Sequence, residues 1–310
     1  MNLRQTTAFF SGIALISGGI IQAQDNQVLE NDFFSAVKAN QKESYVTFSQ
    51  GIGTLESLVF EAMIAPTFLL RTNADARYGA TISTGIRLRM QAEESLPVRT
   101  PGYMPQITFY RHVKGRAAHD PFSGYVFLTI AHHSNGQDGD FFLHDGSVNT
   151  FNGNFSTNYL ESGIFFNRRI VPFSNTTEYF KTSLEWHPKI DISPELDGRY
   201  GFLRWHNSLK IYKFSLKRMK ALFGGKSQTW HKVPAVQTTL GTTWIFGKRG
   251  EASFFDLKER LNLMVNMAYR PKFLKDVSLF ARFYSGEDYY NIFYFRRITY
   301  LQFGIQAFAF

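Results

Sequence analysis

Apolar and aromatic stretches of about ten to fifteen residues recur along this chain, set apart by clusters of Gly, Pro, Asn, Asp and Ser. No other feature limits the possible folds as strongly. Within the stretches, apolar residues fall at every second position. Val126, Leu128 and Ile130 share one parity, Thr129, Ala131 and His133 the other. Leu160, Ile164 and Phe166 alternate with Glu161 and Asn167, and Leu301, Phe303 and Ile305 with Gln302, Gly304 and Gln306. Successive side chains of a strand point to opposite faces. Each stretch therefore predicts a strand with one apolar face and one smaller or polar face.

Eleven such strands are expected over 57–71, 77–91, 104–114, 122–134, 157–169, 176–188, 199–216, 233–247, 258–269, 274–284 and 296–309, with 45–53 as a twelfth. Turns are marked by Thr72-Asn73-Ala74-Asp75, by Asp191 to Gly198, by Gly247-Lys248-Arg249-Gly250 and by Pro271-Lys272. Globular strands average about 5–6 residues, whereas membrane-crossing strands need about 9–11. A soluble sandwich would alternate in the same way. Strand length and a single unbroken series favour an all-β fold, a transmembrane antiparallel β-barrel of 12 strands, since bacterial single-chain barrels have even strand numbers. The aromatic share is 16% while mean hydropathy is only −0.21. An alternating wall reconciles the two. Beyond the N-terminus no stretch approaches the roughly 20 apolar residues of a spanning helix. Without cysteine there are no disulfides.

Residues 1–23 read as a secretory signal peptide: Arg4 forms the positive region, Ala8 to Ile21 the apolar run, and Ile21-Gln22-Ala23 the cleavage site. A polar N-terminal segment, 24–44, follows, and the barrel occupies 45–310. The net charge is +9, of which the leader carries only Arg4. An exported chain with no dominant basic run gives no reason to expect nucleic acid. Its excess cations suit anionic lipid head groups, as for Lys213, Lys217, Arg218 and Lys220 near a turn, or a hydrated surface.

The densest polar group is Ala131-His132-His133-Ser134-Asn135-Gly136-Gln137-Asp138, which ends a strand and opens a long loop. His132 and Ser134 share the parity of Val126, Leu128 and Ile130, the face proposed for lipid. Polar groups are costly there unless they pair or act. An imidazole beside a hydroxyl is the activating pair of a serine nucleophile. Asn158, with the lipid-face parity of the next strand, suits the third role of orienting the imidazole. A carboxylate in that place would pay several kcal/mol of desolvation, about 20 by idealised Born solvation; an amide orients without charge.

His132-His133-Ser134-Asn135-Gly136 resembles the His-x-Ser-Asn-Gly motif of the outer-membrane phospholipase A family of Gram-negative bacteria. Ser156-Thr157-Asn158-Tyr159-Leu160 resembles the segment that carries the family's Asn. Glu94-Ser95-Leu96-Pro97-Val98-Arg99 and then Tyr103-Met104-Pro105-Gln106 match its Glu-Ser-x-Pro-x-Arg and Tyr-x-Pro-Gln. Tyr284-Ser285-Gly286-Glu287 and Tyr290-Asn291 resemble its final hairpin. The resemblance implies a twelve-stranded outer-membrane barrel, active as a calcium-bound homodimer, that hydrolyses acyl esters of membrane phospholipids. It implies Ser134 as nucleophile, His132 as base, Asn158 as orienting residue and the Gly136 N–H as oxyanion donor. For Ca2+ it implies Ser95 from a partner subunit, the Gln137 carbonyl, and Asn154 where the family has a serine.

Gln137 also stands where the family has Arg, and the 135–157 loop is longer than the family's. Asp138, Asp140 and Asp145 in that loop are either calcium ligands or solvated acids. His133 and His144 leave open a transition-metal cluster with His132, although His132 and His133 point to opposite faces. Trp186, Trp205, Trp230 and Trp244 read as interfacial girdle or lumen packing, and His187, His206 and His231 as structural. The alternatives in function are a catalytically degenerate barrel serving as pore or structural protein, and a lipid A deacylase, a smaller barrel family that also uses His-x-Ser on its outer wall.

Overall fold

Alternation and turn spacing place the strands almost where the chain folds them. The computed structural model describes residues 37, 39–48, 52–72, 76–94, 97–114, 123–167, 178–211, 236–271, 273–274 and 277–307. The leader, Ser95, the Lys213 to Lys220 cluster, Trp230 and His231 lie outside these residues. Strand β1 is Ser44–Thr47 continued by Ile52–Gly53, and both pieces pair with the last strand. Strand β2 is Leu58–Ile64 continued by Thr67–Leu70, interrupted at Pro66, which has no N–H to give a ladder. Then follow β3 Tyr78–Gln91, β4 Gly102–Lys114, β5 Ser123–Ser134 and β6 Ser156–Asn167. The series ends with β7 Glu178–Trp186, β8 Leu203–Ile211, β9 Val236–Phe246, β10 Leu261–Tyr269, β11 Val277–Glu287 and β12 Arg297–Ala307.

Each strand pairs antiparallel with the next, and β1 pairs with both β2 and β12. The sheet therefore closes on itself as a twelve-stranded antiparallel barrel without a free edge. Several boundaries shift by a few residues, and one has a clear local cause. Residues 257–260 form a single helical turn rather than the start of β10, because Asp256 accepts from the Glu259 N–H and caps it.

The outer wall carries the parity expected of it. Val126, Leu128 and Ile130 are exposed, as are Phe303 and Ile305, while Thr129, Gln302 and Gln306 are buried inside. Exposed apolar residues recur all round the wall, including Ile82, Phe109, Ile164, Leu184, Leu240, Leu263 and Leu279. A band of this extent needs an apolar neighbour.

The lumen is not uniformly polar. Tyr110, Tyr125, Phe127, Phe165 and Tyr179 point inward near the chain termini and pack against Val37 and Ala39. Residues 37 and 39–43 of the N-terminal segment thus lie inside the barrel. Gln41 Nε2 donates to the Tyr110 hydroxyl at 2.8 Å, and Lys210, Gln237 and Gln306 each donate to the Glu43 carboxylate.

The opposite end is closed by loops. Phe141, Phe155, Leu196, Tyr200, Tyr290, Ile292, Phe293 and Tyr294 form an aromatic lid. Beneath it Arg89 bridges Glu61 at 2.7 Å and Asp288 at 2.9 Å. Glu287 takes Arg204 at 2.7 Å and also Arg249. Between lid and N-terminal segment lies a polar cavity of about 450 Å³, with Lys42, Arg87, His133, Glu161, Glu185 and Arg282 among its walls.

Candidate active site

The register of β5 against β6 sets His132 opposite Asn158 and Ser134 opposite Ser156. Both His132 and Asn158 have the parity of the outer wall, so they meet outside the barrel. His132 Nδ1 lies 2.8 Å from Asn158 Oδ1. The other half of the amide fixes which atom is which: Asn158 Nδ2 donates to the carbonyls of Ile190 at 3.0 Å and Asp191 at 3.1 Å. Only the NH2 group can serve two carbonyl acceptors, so the amide oxygen must face the imidazole. His132 then donates from Nδ1–H, which leaves Nε2 with its lone pair free to act as a base.

Ser134 sits two residues along the same face, about 6.6 Å further on by strand rise. Among the described residues its Oγ makes no hydrogen bond to His132. Catalytic hydrogen bonds are often long before substrate binds. The sequence-predicted His–Asn contact is therefore assembled, and the His–Ser contact is a shared face rather than a bond.

Asn135, to which the motif gave no role, organises the turn after Ser134. It is buried. Its Oδ1 accepts from the Phe155 N–H at 3.0 Å and the Gln137 N–H at 3.3 Å, and its Nδ2 donates to the Gly153 carbonyl at 2.8 Å. This Asx-type turn turns Gly136 into the left-handed region at φ +66°, against the Tyr103 ring. Among the described residues the Gly136 N–H has no acceptor, so it is free to donate to an oxyanion near Ser134. Gly136→Val places a β-branched residue at positive φ. The expected result is a rearranged 135–137 backbone with the barrel still folded, measured by the amide NMR shifts of this turn and by circular dichroism.

The long loop is ordered rather than open. Gly139 and Asn152, Leu143 and Ser147, and Phe141 and Asn149 are joined by backbone hydrogen bonds, and Phe141 enters the lid. Asp145 is a turn residue: the Ser147 hydroxyl and amide both donate to its carboxylate and hold it below the usual carboxylate range. Asp138, Asp140 and His144 are exposed on the same loop.

His133 lies on the other side of the wall from His132, in the cavity, with its ring 5.0 Å from that of Phe155. Among the described residues no three His, Asp or Glu side chains gather as a metal site. The transition-metal cluster is therefore not assembled. His187 and His206 lie inward as well, bridged by Glu185 and bonded to Thr157 and Thr243.

Of the oxygen donors expected for calcium, Asn154 is exposed and Gln137 partly so, and Ser95 lies outside the described residues. Gln137 turns its amide NH2 toward the Gly136 carbonyl at 3.4 Å, and Asn154 donates its N–H to the Gly139 carbonyl. Carbonyl, amide and hydroxyl oxygens fit a hard cation, but none is charged, so the set suits weak binding.

Neither protein-family models nor curated proteins match this chain. Solved structures do match. The fold is that of a closed antiparallel barrel, the fold of outer membrane phospholipase A. An active-site mutant of the Escherichia coli protein aligns over 92% of this chain and 94% of its own at TM-score 0.55 and 15% identity. A second E. coli structure covers 88% and 97% at TM-score 0.56 and 15% identity. The Salmonella typhi outer membrane phospholipase, a dimer with bound calcium, covers 86% and 90% at TM-score 0.55 and 15% identity. At this identity the likeness is one of fold.

Proposed function

We propose that this chain is a calcium-dependent outer-membrane phospholipase, exported by its leader, that hydrolyses acyl esters of glycerophospholipids at the outer wall of the barrel. One observation carries the reading: an imidazole with a fixed tautomer, paired with an amide and two residues from a serine on the same face, stands on a wall otherwise made for hydrocarbon. His132 Nε2 removes the Ser134 proton as Oγ attacks the ester carbonyl. The Gly136 N–H receives the developing oxyanion, and the imidazolium returns the proton to the departing lysophospholipid oxygen. Water, activated by the same imidazole, then releases the fatty acid. Asn158 keeps the ring in place and, being neutral, adds no charge to a site beside lipid.

Calcium would be held by the Gln137 carbonyl and Asn154, with Ser95 of a second copy, and would supply Lewis-acid polarisation near the oxyanion. The homodimer belongs to the same proposal. With three neutral donors, half-saturation near ~10⁻⁴–10⁻³ M is expected. Chelator is accordingly expected to stop fatty-acid release, and calcium to restore it. Retained activity in chelator removes the metal from the proposal and leaves the triad.

The deciding experiment offers purified barrel phospholipid vesicles and lipid A in parallel and measures fatty acid and bilayer conductance. Release from phospholipid alone supports the reading. Release from lipid A alone favours the deacylase, and conductance without release favours the pore. Val37 and Ala39 packed inside the barrel and the aromatic lid over its other end weigh against a pore.

A further inference from the structure

We propose that the loop 187–202 is a clasp that positions Asn158, and through it the tautomer of His132, with Asp191 and Ser193 as its positioning residues. The inference rests on the phospholipase reading for its consequence in catalysis, but its geometry stands apart from that reading.

The clasp exists because β7 is too short. Its ladder with β6 ends at Leu160 opposite Trp186. Pro188, two residues on, cannot donate to a continued ladder. The β6 edge from Ser156 to Asn158, with the residues just before it, is thus left without a partner from β7 where the catalytic face needs support. The chain returns to fill that gap. The Ser193 N–H donates to the Ser156 carbonyl at 2.9 Å, and the Ser156 N–H donates to Ser193 Oγ at 2.9 Å. Ser193 Oγ reaches the Asn154 carbonyl at 3.5 Å. Ser156 is the residue opposite Ser134, so this one side chain is tied to the strand that faces the proposed nucleophile.

Two residues earlier the backbone turns back. Asp191 adopts a left-handed conformation at φ 50°, uncommon outside glycine and tolerated best by Asn and Asp. That turn brings two successive carbonyls, of Ile190 and Asp191, onto the same Asn158 NH2 group. The far end of the clasp is anchored by Leu196, buried in the aromatic lid. The side chain of Asp191 is exposed, so the backbone, not the carboxylate, does the positioning. If the two carbonyls move away, the amide can rotate and present NH2 to the ring. His132 would then be driven to accept at Nδ1 and carry its proton on Nε2, where it cannot act as a base.

The test uses the full chain in detergent with ¹⁵N-labelled histidine, the His132 signals being assigned by their loss in His132→Gln. Ser193→Ala is expected to lower kcat about tenfold to a hundredfold on a soluble ester with KM within about twofold, and to shift the His132 ring nitrogens toward the Nε2–H form. Ser193→Thr, which keeps the hydroxyl, should restore both. Asp191→Val should behave as Ser193→Ala does, while Asp191→Asn, which accepts the left-handed backbone, should rescue. An unchanged His132 spectrum in Ser193→Ala overturns the clasp, as does a loss in Asp191→Asn equal to that in Asp191→Val, which would make the carboxylate the agent. If Asp191→Val does not fold, the Ser193 pair decides alone. If the wild type hydrolyses no ester, the phospholipase reading falls, yet the tautomer measurement still judges the clasp.

Discussion

Ser134→Ala is expected to abolish fatty-acid release from phospholipid, with a loss on the order of 10⁴ or more in kcat, while the barrel folds as before. The substitution removes one hydroxyl from a strand end, and among the described residues that hydroxyl makes no hydrogen bond on which folding depends. Burial of the barrel wall and the β5–β6 register are untouched. His132→Ala should cost about as much as Ser134→Ala, and the double substitution little more than either, because nucleophile and base act as one unit. The residual rate in each case measures what the Gly136 N–H and lipid binding contribute alone. The measurement is fatty-acid release from vesicles by purified protein, with circular dichroism as the control for folding. Undiminished release by folded Ser134→Ala would remove Ser134 as the nucleophile. Additive losses in the double variant would separate His132 from Ser134.

How much of this was readable beforehand follows from the range over which each interaction acts. Alternation is local, so the strands and the two faces of the wall were legible from Val126, Leu128 and Ile130 alone. The parity rule also put His132, Ser134 and Asn158 on one surface, and the β5–β6 register then brought His132 opposite Asn158. Backbone partners were not legible. The carbonyls of Ile190 and Asp191 are identical to every other carbonyl in the chain, and only the early end of β7 at Trp186 brings them to Asn158. Pro188 after Trp186-His187 was the available signal, since it had to stop the ladder. Asn135 stood within the recognised motif, but its three hydrogen bonds depend on where Gly153 and Phe155 return. The lumen misled for a different reason. Tyr125 and Phe127 are apolar at the inward parity because Val37 and Ala39 pack in the same cluster, and no periodicity within β5 announces residues that come from more than eighty positions away. The longest-range contacts were the least visible: Glu43 and Gln306 are 263 residues apart.

Glu287→Ala is expected to destabilise the barrel by about 3–5 kcal/mol, the cost of breaking a buried ion pair from one side. The Glu287 side chain is 4% exposed and joins three elements. It ends β11, takes Arg204 from β8 at 2.7 Å, and takes Arg249 from the loop between β9 and β10. Alanine would leave two buried guanidiniums facing each other's charge. Each keeps one looser ion pair, Arg204 with Glu185 at 3.6 Å and Arg249 with Glu259 at 4.0 Å. Burying a cation that has lost its close partner costs more than the pair itself contributes, because a looser contact offsets less of its desolvation. The readout is the denaturant midpoint of the detergent-solubilised protein at unchanged m-value. The charge argument makes a second, sharper demand. Adding Arg204→Met to Glu287→Ala removes one stranded charge and should recover part of the loss, although it removes a further polar contact. A loss below about 1 kcal/mol in Glu287→Ala would mean that cavity water already screens these charges. A double variant weaker than the single would mean that Arg204 contributes through packing on the Tyr200 ring, 4.1 Å from its guanidinium carbon, rather than through its charge.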